Sequence, residues 1–421
     1  MNFRSAAVLF FCAVLSTFAL GQPETSDNTV NRPRVIVTEN VHDTKSTPTP
    51  RKVVVVSDGS EMSETEDGVS VDDSAAAGNS GARMLSFGEI RSRIEEAKRQ
   101  MRVKPLRTAM SPDSHAVDVV RLAFLDWNSN RLDYVVVSKV DFLSKDRQSI
   151  HKTERGNTVR IQTIRGNGVN TPVIIYNMRN EPQQPLIVQY PREKGGEFIE
   201  MAYYVSTHPG IVTPETVNAG RIYVRNVLNS AREKLRAKGH IIQPKVVDMA
   251  ERLALVEHVD HWRFRNELHP NIYNDVYMLY ALNEGQTYRY AVSSAGAGGM
   301  VQMIPWTYRM IRSRYSNVGL MPDFVEGMRN HLNASQAMLL YMQMTWDDLS
   351  SNSTVQAAMA EGIATQEQLI AAGYNSNPAR LPGYIKRGGE DWTNLIPRET
   401  RIYLEIYDSV KRHVPLSPRS R

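Results

Sequence analysis

The hydrophobic pattern changes its period once along the chain, near residue 210, and this limits what the chain can fold into. Between about 116 and 205 the apolar residues come in short β-branched or aromatic runs: Tyr134-Val135-Val136-Val137, Val159-Arg160-Ile161, Val173-Ile174-Ile175-Tyr176, Leu186-Ile187-Val188 and Phe198-Ile199-Glu200-Met201. Turn residues separate them, as in Arg165-Gly166-Asn167-Gly168 and Asn180-Glu181-Pro182. Such punctuation predicts antiparallel strands in a sandwich or barrel. Beyond 210 the apolar residues recur at helical intervals. Strands first and helices after define an α+β chain, with an antiparallel β-rich module ahead of a mainly α-helical domain.

Local signals set several boundaries. Ser86-Phe87-Gly88-Glu89 has the spacing of a capping box, and Ile94, Ala97 and Met101 continue a helix that Pro105 and Pro112 end. Thr213 before Pro214 predicts an N-cap, with the helix running to about Ala237 and stopping at Gly239. Its outer face carries Arg225, Arg232, Lys234 and Arg236 and reads as solvated. The same holds for the C-terminal Arg412, Arg419 and Arg421.

The first 21 residues read as a secretory signal. Arg4 precedes the apolar stretch Ala6–Phe11, and Ala19-Leu20-Gly21 has small residues at the cleavage positions. Cleavage would leave a mature chain without its single cysteine, Cys12, which excludes a disulfide framework and a Cys-based metal site. Nothing after residue 21 is long and apolar enough to span a bilayer, so a periplasmic or secreted location is expected. Residues 22–84 carry a net charge of −5 and are rich in Ser, Thr, Asp and Pro, a composition that cannot offset its ordering entropy. Val53–Val56 is the one run there suited to a sheet edge. Residues 85–421 carry +9, which favours an anionic partner. A secretory signal argues against nucleic acid and for an anionic cell-wall polymer. The expected organisation is a signal peptide (1–21), an acidic disordered linker (22–84), a helix plus β-rich accessory module (85–210), a connecting helix (211–240) and a catalytic domain (241–415). The β-rich module shows no catalytic constellation and suits a structural or docking role, which leaves room for a cell-wall protein partner; a dedicated glycan-binding module is the alternative.

The chemistry-bearing residues lie in the last 180 positions. Val246, Met249, Ala250, Leu253, Ala254 and Val256 mark one helix face, and Glu257 follows beside that stripe near the helix end. A carboxyl group there is costly to ionise, and desolvation keeps it protonated and able to donate. A helix-end Glu also serves as a cap or bridge, so position alone leaves both roles open. Downstream come Ser293-Ser294-Ala295-Gly296-Ala297-Gly298-Gly299-Met300-Val301-Gln302-Met303-Ile304-Pro305, Ala371-Ala372-Gly373-Tyr374-Asn375-Ser376-Asn377-Pro378 and Ile396-Pro397-Arg398-Glu399-Thr400-Arg401-Ile402-Tyr403.

In this order, these segments resemble the soluble lytic transglycosylase family, over about 240–412. The resemblance implies a lysozyme-like fold and cleavage of the β-1,4 bond between N-acetylmuramic acid and N-acetylglucosamine in peptidoglycan, leaving 1,6-anhydro ends. It implies Glu257 as catalytic acid and base, and Gly299, Met300, Gln302, Tyr374 and Asn375 as substrate-binding residues. Tyr374 would orient the Glu257 carboxyl. No cofactor and no metal are implied. Three positions depart from the family pattern: His258 stands for Ser, Val301 for Met and Gly373 for Ala. Glu257 and Gly296 stand 39 residues apart, more than in the family, and the added stretch of roughly 263–288 suits an extra helix over the cleft.

Other readings use the same region. Asp260, Glu267 or Asp275 as a second carboxylate would make a muramidase-type hydrolase. His258, Asp260, His261 and His269 invite a metal reading, but His-Glu-x-x-His is absent. Met300, Met303 and Met310 read as core or cleft lining, and Trp262, Trp306 and Trp392 as packing or sugar-stacking residues. A wall-binding protein that has lost activity is the non-enzymatic alternative.

Overall fold

The computed structural model describes residues 84–106, 116–287, 289–293 and 295–420. The expected signal peptide, most of the acidic linker with Val53–Val56, and Pro112 and Arg421 lie outside the described residues.

The chain enters through α1 (Phe87–Val103), which opens on the expected capping box: the Ser86 side chain accepts from Glu89 N, and Glu89 accepts from Ser86 N. Ile90, Ile94, Ala97 and Met101 form its buried face. Seven strands follow, with one short helix among them: β1 (Val119–Asp126), β2 (Arg131–Ser138), α2 (Lys139–Leu143), β3 (Gln148–Lys152), β4 (Thr158–Thr163), β5 (Val173–Asn177), β6 (Pro182–Lys194) and β7 (Glu197–Tyr204). All the named pairs are antiparallel, in the order β2-β1-β6-β5-β4-β3, with β7 also on β6. A bridge between Val135 and Thr153 brings the two ends of this order together, so the sheet curls as a barrel does. Each of the five strand runs named from sequence falls on a strand. β1 and β3 are additional.

Long β6 explains the layering. β1 covers one of its edges, while β5 and then β7 share the other. Residues 183–191 are buried without alternation, and α1 packs against this strand. Buried Arg121 on β1 fixes the helix to the sheet: its Nε donates to Gln189 and its Nη2 to the Met101 carbonyl at the end of α1.

The helical part begins with α3 (Pro214–Ala237), capped by Thr213 with Pro214 in its first turn and ending at the expected residue. There follow α4 (Pro244–Val256), α5 (His261–Asn266), α6 (His269–Leu282), α7 (Pro305–Arg314), α8 (Phe324–Arg329), α9 (His331–Ser350), α10 (Ser353–Ala360), α11 (Gln366–Asn375), α12 (Leu381–Gly388), α13 (Trp392–Leu395) and α14 (Arg398–His413). Helix α3 packs along α6, α9 and α4. It lies close against α6 at Gly220, where a Cβ would run into the Tyr277 carbonyl.

The stretch predicted as a helix over the cleft is indeed helical, but α6 is a core element. Tyr273, Tyr277 and Tyr280 are fully buried on it. At its end Asn283 accepts from Val205 N and donates to Val205 O, satisfying both backbone groups just beyond β7. The apolar core therefore runs unbroken from sheet to helices. Among the described residues no helix is long and apolar enough to cross a membrane.

The C-terminal tail differs from the solvated reading. The Arg419 side chain is only 5% exposed and pairs with Asp248 and Glu251 on α4, while its Nε donates to Asn229 on α3. Arg225 joins this network through Glu251 and the Ser417 carbonyl. These partners lie far away in sequence, so a local reading sees only an isolated basic residue.

Gly220→Ala is expected to lower unfolding stability by roughly 2–4 kcal/mol, because the obstructing atom is backbone and cannot rotate away. Chemical denaturation checks this, and an unchanged midpoint would mean that α3 and α6 part freely.

Candidate active site

Helix α4 delivers Glu257. Its apolar stripe of Val246, Met249, Ala250, Leu253 and Ala254 is fully buried, and Glu257 is the C-cap residue with its N–H still bonded to Leu253 O. The carboxyl group is thus set at a helix end and surrounded by packed protein, while the residue keeps some solvent contact. Tyr403, in the second turn of α14, donates its hydroxyl to Glu257 Oε1 at 2.6 Å. Burial is the main influence on this carboxyl and pushes it up to about 8. The Tyr403 hydrogen bond pulls the other way, and the nearby Glu399 carboxylate adds a further upward push.

The glycine-rich loop lies against the end of α4. Bridges pair Gly298 with both Val292 and Met303, folding residues 291–303 back on themselves. Gly299 has φ +70°, and a Cβ there would collide with the Met328 carbonyl, so glycine is required. Gln302 also takes a positive φ, 45°, and its side-chain amide donates to Gly299 O at 2.9 Å, which pins the turn. His258 Nε2 lies 2.9 Å from Met300 O; because a carbonyl only accepts, this nitrogen carries the proton. Burial depresses the His258 imidazole to about 3 and keeps it neutral. His258 thus ties the loop to α4.

Helix α11 supplies Tyr374 and Asn375. Tyr374 donates to Val301 O at 2.7 Å. It therefore braces the loop, and Tyr403 is the residue that holds the Glu257 carboxyl. The Glu257 charge still acts on both hydroxyls, and both phenols are pushed well above their usual range, chiefly by burial. Asn375 Oδ1 accepts from the Thr400 hydroxyl at 2.9 Å, joining α11 to α14.

Contacts among α4, the loop, α11 and α14 thus link the segments that carry Glu257, Gln302, Tyr374 and Asn375, with Tyr374 close enough to feel the Glu257 carboxyl. Gly299 and Met300 are placed differently. Both are buried, and the Met300 side chain is closed to solvent, so it serves the core while its carbonyl anchors His258. Tyr280, not singled out from sequence, donates to Ala254 O and sets its ring edge-on to His258. Exposed apolar surface flanks the loop at Ile304 and Trp306, and Trp262 is exposed on α5 with the Lys145 ammonium 5.9 Å from its ring centre. Trp392 is buried, its indole N–H on Ile363 O, and is a packing residue.

The other carboxylates and histidines have structural partners. Arg263 binds Glu267 through Nε and Nη2 and reaches Asp275 at 2.7 Å, while Asp260 caps α5 by accepting from Arg263 N. His269 lies between the Ser409 hydroxyl and the Phe264 carbonyl. Among the described residues no group of three His, Cys, Asp or Glu is placed to hold a metal ion.

No protein-family model matches the chain, and no curated protein or solved structure matches it.

A carboxyl whose native pKa lies above its unfolded value stabilises the fold fully below the unfolded pKa near 4.5. It loses that contribution as pH rises through about 8. Glu257→Gln cannot ionise, so the variant is expected to gain on the wild type by up to a few kcal/mol between pH 5 and pH 9. Unfolding free energies across that range check the sign, and a gap that does not grow with pH would mean that Glu257 ionises normally.

Proposed function

We propose that the helical region is a lytic transglycosylase domain of the lysozyme-like class, acting on peptidoglycan glycan strands. One observation carries the reading: a single carboxyl group, Glu257, is held protonated near neutrality at a helix end and oriented by a buried tyrosine. The motif order that brought Glu257, Gln302, Tyr374 and Asn375 together supports it, as does the +9 charge of residues 85–421, which suits a polymer bearing carboxylates.

In this reading Glu257 first gives its proton to the glycosidic oxygen, and the bond from that oxygen to the muramyl anomeric carbon breaks. Cationic character then develops on the anomeric carbon. The new Glu257 carboxylate takes the proton of the muramyl 6-hydroxyl, and that oxygen closes on the anomeric carbon. The products are a 1,6-anhydro end and a free 4-hydroxyl, with no water consumed and Glu257 protonated again. One carboxyl group suffices, in contrast to the two-carboxylate glycosidase scheme. Tyr403 positions the group for both transfers. Gln302 and Asn375 supply amides suited to N-acetyl sugars, and Trp306 and Ile304 a face for a sugar ring. Of the carboxylates that a hydrolase would use as its second group, Glu267 and Asp275 are engaged by Arg263, and Asp260 caps α5. A periplasmic or secreted location belongs to the same proposal.

Incubation of the purified chain with intact sacculi, followed by mass spectrometry, is expected to release anhydro-muropeptides, with Glu257→Gln releasing none. Reducing muramyl ends would make water the nucleophile, and no products would remove the enzyme. The rate is expected to fall about tenfold per pH unit above about 8, as the acid form of Glu257 is lost. Tyr403→Phe removes a bond that favours the carboxylate, so this alkaline limb should move up by about one unit while kcat falls. A limb that stays in place would detach Tyr403 from the proton transfer.

A further inference from the structure

Three arginines converge on one carboxylate beside the glycine-rich loop. Glu200 of β7 receives Arg192 from β6, Arg289 at 3.0 Å and Arg329 at 3.4 Å from the end of α8. The Tyr290 ring sits among them, with the Arg192 and Arg289 guanidinium carbons 4.8 and 5.6 Å from its centre. Arg329 also binds Glu326 at 2.8 Å. Counting both carboxylates, one positive charge stays uncompensated. The side chains of the three arginines are 20–30% exposed, so the cluster is sheltered from bulk screening without being sealed. The Nε groups of all three arginines have no hydrogen-bond partner, so the cluster is short of acceptors.

Its position ties it to the site. Arg289 lies two residues before Ala291, whose carbonyl accepts from Gly299 N. Arg329 follows Met328, whose carbonyl is the atom that a Cβ on Gly299 would meet. Both ends of the cluster thus connect to the loop that carries Gln302. Glu200 shows which chemistry the guanidinium groups accept, because planar N–H forks match a carboxylate.

We propose that Arg192, Arg289 and Arg329 form an anion subsite that takes a carboxylate carried by the glycan strand, and that the β-rich module thereby contributes to substrate recognition. The proposal rests on the peptidoglycan reading for the identity of the polymer. A purely structural tie between β7 and the loop is the competing role.

The test measures co-sedimentation of the full chain, as Glu257→Gln, with intact sacculi and with sacculi whose carboxylates have been converted to amides. Binding to intact sacculi should be roughly tenfold tighter. Arg289→Gln or Arg329→Gln should remove most of that difference, while Lys234→Gln on the exposed face of α3 should leave it. Equal binding to both sacculi, or equal losses in all three variants, overturns the subsite. The amidated sacculi keep the test valid where an arginine variant fails to fold. Products from wild type with carboxylate-independent binding would retain the reaction and remove the subsite. Carboxylate-dependent binding lost with Arg289 or Arg329, but without anhydro products, would do the reverse.

Discussion

The hydrogen bond from Tyr403 to Glu257 is the contact on which the site depends, and it closes across 146 residues of chain. Two helices must be fixed for it to form. Helix α4 is fixed by a stripe that is buried against α3, α9 and α14, and α14 by its packing on α4 and α11. The bond forms where water is largely excluded, so the carboxyl group keeps its proton and the phenol stays neutral. The buried polar groups around it follow the same rule. His258, Tyr374 and Tyr280 each direct a polar atom to a backbone carbonyl, which leaves the carboxyl as the chemically available group.

The loop is held by complementary means. His258 and Tyr374 take successive carbonyls, Met300 and Val301, from two different helices. Gln302 closes the turn from within, and Gly299 admits the Met328 backbone. His258, next to Glu257 in the chain, thus serves to hold the loop. The stretch ahead of the loop contributes to the core, where α6 packs beside α3 and reaches the sheet through Asn283.

Elements with local causes were legible in the sequence. The limits of α3 and the capping box of α1 depend on residues within one turn, and both fall where the spacing places them. The burial of the α4 stripe follows from its period. β3 went unrecognised because its residues, Gln148-Ser149-Ile150-His151-Lys152, are mostly polar and only half-buried at one end of the strand order. The depth of α6 was hidden because tyrosine suits both surface and core. Arg419 looked solvated because its partners, Asp248 and Glu251, stand some 170 residues upstream. At the candidate site, motif order singles out Glu257, Gln302, Tyr374 and Asn375, whereas Tyr403 as the hydrogen-bond partner of the Glu257 carboxyl depends on how α14 turns against α4.

The account turns on the protonation of one side chain, and that can be observed directly. Carbon-detected NMR of the protein labelled at glutamate side-chain carboxyls, with Glu257 assigned by its loss in Glu257→Gln, follows its titration through the neutral range. A midpoint near 8 is the expected result. A midpoint near the ordinary value of 4.5 would show that the carboxyl group is ionised at neutrality, and an acid role for Glu257 would fall with it.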